Sequence, residues 1–140
     1  MTEISFYVGK NNTLRGRLLL ACRLVEKARQ RNMHVHIHTD GFSTTKQMDE
    51  LLWTWNETSF IPHTNRITET TEETVTIAND YEPINNCDYL INLSNQRPNF
   101  FSRYKKMAEI IDQTETILTA GRERYSFYKN RGYTLKYYQL

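Results

Sequence analysis

The sequence predicts a single α/β domain in which a mostly parallel central sheet is flanked by helices. Strand and helix patterns alternate from the N-terminus in the order strand, helix, strand, helix, and parallel strands need such crossover helices between them. The first helical segment is apolar on one face and basic on the other, as expected of a helix that covers a sheet. The 140 residues suit one compact domain, so we assign residues 1–140 to it.

The first half of the chain supplies two strand and helix pairs. β-branched and aromatic residues over Glu3–Val8 predict a strand. Polar candidates for an N-cap at Lys10–Thr13 then precede a helix over Leu14–Arg31, where apolar residues recur at helical spacing. Apolar residues alternate with histidines over 33–38, which predicts the second strand. Ser43 is the expected cap of the second helix.

The second half is predicted to add strands and one long helix. Met107–Ile111 fits a strand or a short helix, and periodicity alone leaves both open. Glu115–Arg131 is predicted to be a helix that Gly132 ends. The other strand candidates are Thr74–Ala78, Tyr89–Leu93 and Tyr133–Tyr138.

The charge balance argues against a protein that grips nucleic acid by its phosphates. There are 18 basic and 16 acidic residues, a net charge of +2, whereas such domains are usually strongly basic. We interpret Cys22 and Cys87 as buried thiols rather than as a disulfide or as zinc ligands. The chain also lacks a leader pattern and a span of roughly 20 apolar residues, so we expect a soluble, cytoplasmic protein.

No motif predicts catalysis, a metal or a cofactor. Gly9–Gly16 lies where an α/β protein places its phosphate loop, yet neither G-x-G-x-x-G nor G-x-x-x-x-G-K-[ST] is present. His34, His36 and His38 have no carboxylate or cysteine beside them at ligand spacing, so polar packing or an exposed sheet face is favoured over a metal site.

A short apolar island, Phe60-Ile61-Pro62, interrupts the polar, threonine-rich segment Asn56–Glu73. We interpret the segment as a long surface connection. A phenylalanine beside a proline in such a connection either folds back onto the core of its own domain or anchors a partner, and the sequence leaves both open.

One face of the last helix carries the clearest functional pattern. Arg122, Tyr125, Ser126 and Lys129 are spaced to form one stripe, next to a stripe of core type. A guanidinium can bind a carboxylate through two hydrogen bonds, and a neighbouring tyrosine ring can wall a pocket for an apolar side chain. The stripe therefore suits an acidic peptide that ends in an aromatic residue. The alternative is an ordinary solvated helix face.

These same segments resemble the chi subunit family of bacterial DNA polymerase III. The family's L-D-x-x-L-W and S-F-[VIL]-P-H pair is similar, at its usual spacing, to Met48-Asp49-Glu50-Leu51-Leu52-Trp53 and Ser59-Phe60-Ile61-Pro62-His63. Its A-R-E-R-Y-x-x-Y and G-[FY] patterns are similar to Gly121-Arg122-Glu123-Arg124-Tyr125 through Tyr128 and to Gly132-Tyr133. Ser5-Phe6-Tyr7 and Cys22-Arg23-Leu24-Val25 fit as well, so the resemblance covers nearly the whole chain.

The resemblance implies a three-layer, Rossmann-like fold without a functional nucleotide site, and a non-enzymatic adaptor with two binding surfaces. Arg122 and Tyr125, with Ser126 and Lys129, would bind the acidic, Phe-terminated C-terminal tail of single-stranded DNA-binding protein. Phe60-Ile61-Pro62 would bind the psi subunit of the clamp loader or an XPD-like helicase. Family members carry a lysine where this chain has Ser126, and Lys129, one turn later, is the candidate replacement. The resemblance implies no cofactor, no membrane association and no direct specific DNA binding.

Three hypotheses of function follow. The first is the adaptor. The second is a nucleotide-binding α/β enzyme or switch protein built on the same sheet. The third is direct binding of nucleic acid through the basic face of Leu14–Arg31, which the low net charge disfavours.

Overall fold

The computed structural model describes residues 1–55, 75–80, 82 and 85–140, together with the backbone of 63–64. Its three helices are α1 (Leu14–Gln30), α2 (Phe42–Thr54) and α3 (Glu115–Asn130), and a 3-10 turn spans Phe101–Arg103. The strands are β1 (Glu3–Val8), β2 (Val35–His38), β3 (His63–Thr64), β4 (Val75–Ala78), β5 (Tyr89–Asn92), β6 (Lys106–Ile111) and β7 (Leu135–Gln139).

The described strands form one parallel sheet in the order β3-β4-β2-β5-β6-β1-β7. Helices α1 and α2 pack against one face, and α3 packs against the other face together with the aromatic residues near the 3-10 turn. This three-layer arrangement confirms the predicted α/β fold class. β1 lies between β6 and the edge strand β7, and its residues alternate in burial because successive side chains point to opposite faces.

The structure resolves, corrects or refines three predictions of local structure. Met107–Ile111 lies in a strand, β6, which pairs with both β1 and β5. The prediction that Ser43 caps α2 is wrong, because the helix begins at Phe42 and Gly41 holds the N-cap position. The Gly41 carbonyl accepts hydrogen bonds from both the amide and the hydroxyl of Thr45, each at 3.1 Å, and no side chain caps the helix. The predicted surface connection contains the short strand β3, while Phe60-Ile61-Pro62 lies outside the described residues.

The ends of α1 and α3 confirm the predicted capping residues. Thr13 caps α1 by accepting a hydrogen bond from the Gly16 amide at 3.2 Å. At the end of α3, Gly132 has φ +82°, its amide donates to the Lys129 carbonyl, and the Tyr133 amide donates to the Tyr128 carbonyl. This pair of hydrogen bonds is a Schellman motif, which turns the chain back toward β7.

The two cysteines differ in exposure. Cys22 is fully buried in the core under α1, as predicted, whereas Cys87 is half-buried. Burial raises the pKa of the Cys22 thiol to about 12, so this sulfur stays protonated near neutral pH. None of the helices in the described ranges has the length and apolar character needed to cross a bilayer.

The three histidines of the β2 region have separate environments. His36 and His38 lie beside Phe100, with ring centroids 6.0 and 5.5 Å from its ring, and His36 Nδ1 is 2.6 Å from the Thr76 hydroxyl. His34 instead contacts Asp88, which accepts from its backbone amide at 3.0 Å. His36 is therefore packed in the polar manner that the sequence favoured. Burial lowers its pKa to about 3, and burial also lowers the pKa of His38.

Lowering the pH should therefore destabilise the fold. The unfolded His36 binds a proton near pH 6.5, while the folded one stays neutral to about pH 3, so stability falls as the pH decreases through that window. Between pH 7 and 5 the loss due to His36 should be roughly 2 kcal/mol, measured by urea unfolding. His36→Gln should be less stable at pH 7 but should lose less on acidification. An equal loss in both proteins would contradict this account.

Candidate functional site

The sequence-predicted stripe on α3 borders a groove of about 380 Å³ between α3 and β7, above β1. Arg122 and Ser126 are exposed on its rim, and Tyr125 is half-buried against it. Lys129 is exposed one turn further along and does not line the groove. Three of the four predicted residues are thus brought together at one concave surface.

The base and walls of this groove are mostly apolar. The Tyr125 ring packs edge-on against Phe6 of β1, with centroids 5.2 Å apart, and so separates the groove from the core. A Cβ atom at Gly121 would overlap the side chain of Ile111, so this glycine allows α3 to lie close to β6. The remaining apolar lining comes from Val8, Leu118 and Tyr137. Such a lining offers an apolar ligand group a place away from water.

Charge is concentrated at the rim of the groove. Arg122 is exposed on α3, and no carboxylate among the described residues forms an ion pair with it. A guanidinium in this state is available to bind a ligand carboxylate with two parallel hydrogen bonds. The groove therefore combines an apolar interior with a cationic rim.

A buried polar cluster that the sequence analysis missed lies directly beneath this helix. Glu109 of β6 is fully buried and accepts hydrogen bonds from Arg124 Nε at 3.0 Å, the Tyr128 hydroxyl at 2.6 Å and Asn92 Nδ2 at 2.8 Å. Burial raises the pKa of Glu109, while the Arg124 charge and these donors oppose the rise. The cluster ties α3 to both β6 and β5.

Two features of the sequence could have revealed this cluster. Arg124 follows Gly121 by three residues and Ile117 by seven, which places it on the core stripe of α3 rather than on the outer stripe. Glu109 is the lone carboxylate in the apolar run of β6. A charge in each of two buried elements indicates that the two charges pair.

At the position of a phosphate loop, the chain forms several hydrogen bonds and an ion pair of its own. The Gly16 amide donates to Thr13, and the Gly9 and Asn11 carbonyls accept from the side chain and the backbone amide of Gln113 at 3.0 and 2.9 Å. Arg17 forms an ion pair with the buried Asp112 at 3.0 Å. The loop after β1 is thus held to the start of α3 by contacts of its own.

Fold and site together define an α/β protein that has an apolar groove with a cationic rim at the edge of a parallel sheet. A family model described as DNA polymerase III chi subunit, HolC, matches residues 1–136. The chain therefore belongs to the chi subunit family of DNA polymerase III.

Curated relatives agree with this assignment. The DNA polymerase III subunit chi of Pseudomonas aeruginosa is 34% identical over 140 residues, which is 100% of this chain and 98% of the relative. The subunit chi of Haemophilus influenzae is 26% identical over 119 residues, which is 83% of this chain and 82% of that protein.

A solved structure, Mss116p DEAD-box helicase domain 2 bound to an RNA duplex, superimposes with a TM-score of 0.65 at 12% identity. The match covers 99% of this chain and 64% of that one, and it shows a shared fold alone.

Breaking the buried cluster should destabilise the domain strongly. Arg124→Met leaves the buried Glu109 carboxylate without its charge partner, a change that commonly costs about 3–5 kcal/mol. Arg122→Ala, two residues away on the exposed face, is the matched control and should change stability by less than about 0.5 kcal/mol. Urea unfolding measures both.

A double substitution tests whether the two charges act as a pair. Glu109→Met combined with Arg124→Met should cost less than the sum of the two single changes. Additive costs, or a near-neutral Arg124→Met, would show that the two charges do not stabilise each other.

Proposed function

We propose that this chi subunit is a non-catalytic adaptor that links the clamp loader to single-stranded DNA-binding protein. The groove beside α3 binds the acidic, Phe-terminated C-terminal tail of that protein, and the segment containing Phe60 binds psi or an XPD-like helicase. Such an adaptor tethers the polymerase machinery to coated single strands and so raises its local concentration.

The observation that carries the proposal is the match between this groove and the end of such a tail. A volume of about 380 Å³ accommodates a phenyl side chain between Tyr125, Leu118 and Ile111. Arg122 lies on the rim, where it can hold the terminal carboxylate of the last residue through two hydrogen bonds. Ser126 adds a hydroxyl at the rim. Lys129, one turn away, adds a cation that acidic residues of the tail can approach.

The two proposed surfaces come from separate parts of the chain. The tail groove is bordered by the edge strand β7. Phe60-Ile61-Pro62 lies between α2 and β3 in the sequence, and β3 is the edge strand on the other side of the sheet. An adaptor must bind its two partners at the same time.

The rival hypothesis of a nucleotide-binding enzyme or switch makes a different prediction for one titration. Calorimetry of the full chain with a short acidic peptide ending in Phe should show one-to-one binding, and ATP or GTP under the same conditions should give no signal. Nucleotide binding without peptide binding would instead support the rival, whose phosphate loop would have to exchange the Thr13–Gly16 hydrogen bond for a phosphate contact.

Removing the rim guanidinium should weaken the peptide complex without affecting the fold. Arg122→Ala is expected to cost about 1–3 kcal/mol of peptide binding, the range for hydrogen bonds to a charged group. Arg122→Lys should restore only part of this, since an ammonium lacks the planar fork. Arg23→Ala, an exposed arginine on the opposite face of the sheet, gives the same change in net charge and should bind normally.

Amidating the C-terminus of the peptide completes a double-mutant cycle. The amide should weaken binding to the wild type but should barely change binding to Arg122→Ala, because both changes delete one interaction. If the two losses simply add, Arg122 does not hold the terminal carboxylate.

Phe60→Ala should separate the two binding activities. An aromatic anchor in a small interface commonly contributes about 2 kcal/mol or more, so binding to psi or to the helicase should weaken while the acidic peptide still binds. Pull-down with each partner measures this. A large loss of melting temperature with no partner-specific defect would identify Phe60 as a core residue instead.

A further inference from the structure

A second groove, of about 250 Å³, lies on the opposite face of the sheet from the tail groove. It runs along β1 between the last two turns of α1 and the edge strand β7, and its floor is formed by Glu3, Ser5 and Tyr7. These residues alternate with the ones that face α3, so the two grooves are separated by the sheet itself. From Glu3 to Tyr7 the floor is about 13 Å long, which makes it a channel rather than a closed pocket.

Positive charge converges on this groove from three different elements. Its exposed cations are Lys27 of α1, Arg31 at the C-cap of that helix, Lys106 of β6 and Lys136 of β7. Among the described residues one carboxylate lines it, that of Glu3, which forms an ion pair with Lys136 at 2.8 Å. The low net charge of the whole chain therefore conceals a surface that is locally basic. Such a surface attracts a polyanion.

Aromatic rings lie at the other end of the same groove. Tyr7 and Tyr138 are stacked, with centroids 5.1 Å apart and ring planes 19° from parallel. Tyr138 is 42% exposed in the edge strand β7, so part of this residue is accessible to a ligand. A nucleobase can extend such a stack whatever its identity, because every base has a π face.

We propose that this groove binds single-stranded nucleic acid without sequence preference, with the phosphates held by Lys27, Arg31 and Lys106 and a base stacked on Tyr138. The combination of a basic channel and an aromatic platform is the one that single-strand binders use. The cations surround the amino ends of β1 and β6. α/β folds bind mononucleotides at the other end of the strands, beyond their carboxyl ends. The position of this channel therefore suits a polymer rather than a mononucleotide. Since the sheet separates the two grooves, a strand and a peptide can be bound together.

The experiment is a fluorescence anisotropy titration of the full chain with a labelled oligothymidylate at low salt. Two doubly substituted proteins carry the same change in charge on α1 and its C-cap residue. Lys27→Ala with Arg31→Ala removes cations inside the groove, and Arg15→Ala with Arg23→Ala removes exposed cations outside it. The first should weaken binding about tenfold and should reduce the slope of log affinity against log salt by about 1.4, and the second should change neither.

The stacking platform is tested in the same assay. Tyr138→Ala should weaken binding about fivefold or more, whereas Tyr138→Phe, which keeps the ring, should bind as the wild type. Tyr137→Ala alters the neighbouring ring on the α3 side and should have no effect on the oligonucleotide.

Three results would overturn the proposal. Absence of oligothymidylate binding at low salt would mean that the groove has no affinity for single strands. Equal losses in the two doubly substituted proteins would mean that the whole basic face of α1 binds, not this groove. Displacement of the oligonucleotide by the acidic Phe-terminated peptide would mean that the groove is a second peptide site. Melting curves near wild type for every variant exclude unfolding as the cause of a loss.

Discussion

The buried ion pair between Glu109 and Arg124 is the interaction on which the rest of the site depends. A charged pair that is removed from water depends on the hydrogen bonds its members form. Arg124 Nε, Tyr128 and Asn92 supply three donors to the carboxylate, whereas Nη1 and Nη2 of Arg124 are buried without a hydrogen-bond partner among the described residues. Because the pair joins the middle of α3 to the middle of β6, it fixes both the rotation and the axial position of the helix. If α3 were rotated about its axis by one residue, a different stripe of its side chains would face the sheet.

That constraint accounts for the position of the groove. With Arg124 directed into the core, Arg122 is exposed on the rim and Tyr125 leans on Phe6. Gly121 then brings the helix close to β6, and the Schellman motif at Gly132 returns the chain to pair β7 with β1. The groove is thus formed jointly by α3, the turn at Gly132 and the edge strand β7. A change in any one of these three elements therefore alters the shape of the groove.

Sequence patterning predicted much of this fold because each element carries its own periodic signal and its own caps. Thr13 and Gly132 are examples, since the chemistry of a cap is local. The order of the strands in the sheet is not local, and nothing in the sequence showed that β6 would lie between β1 and β5. The choice of strand for Met107–Ile111 likewise depended on the two neighbours with which it pairs.

The candidate site shows the same difference between local features, which the sequence predicts, and non-local features, which it does not. The stripe containing Arg122 and Tyr125 is a property of one helix, so helical spacing was enough to propose it. The spacing of Arg124 places it on the core stripe of α3, but one helix does not show that Glu109 of another element lies beneath it. Net charge is likewise an average over the chain, and it does not show that Lys27, Lys106 and Lys136 converge from three elements.

The central claim, that the groove beside α3 receives the end of an acidic peptide, is tested most directly by NMR of the complex. With a peptide labelled at its terminal phenylalanine, the account predicts nuclear Overhauser contacts from the phenyl ring to the methyl groups of Ile111 and Leu118, together with a shifted side-chain resonance of Arg122. Contacts to residues on the α1 face of the sheet, with the Ile111 and Leu118 methyls unchanged, would contradict it.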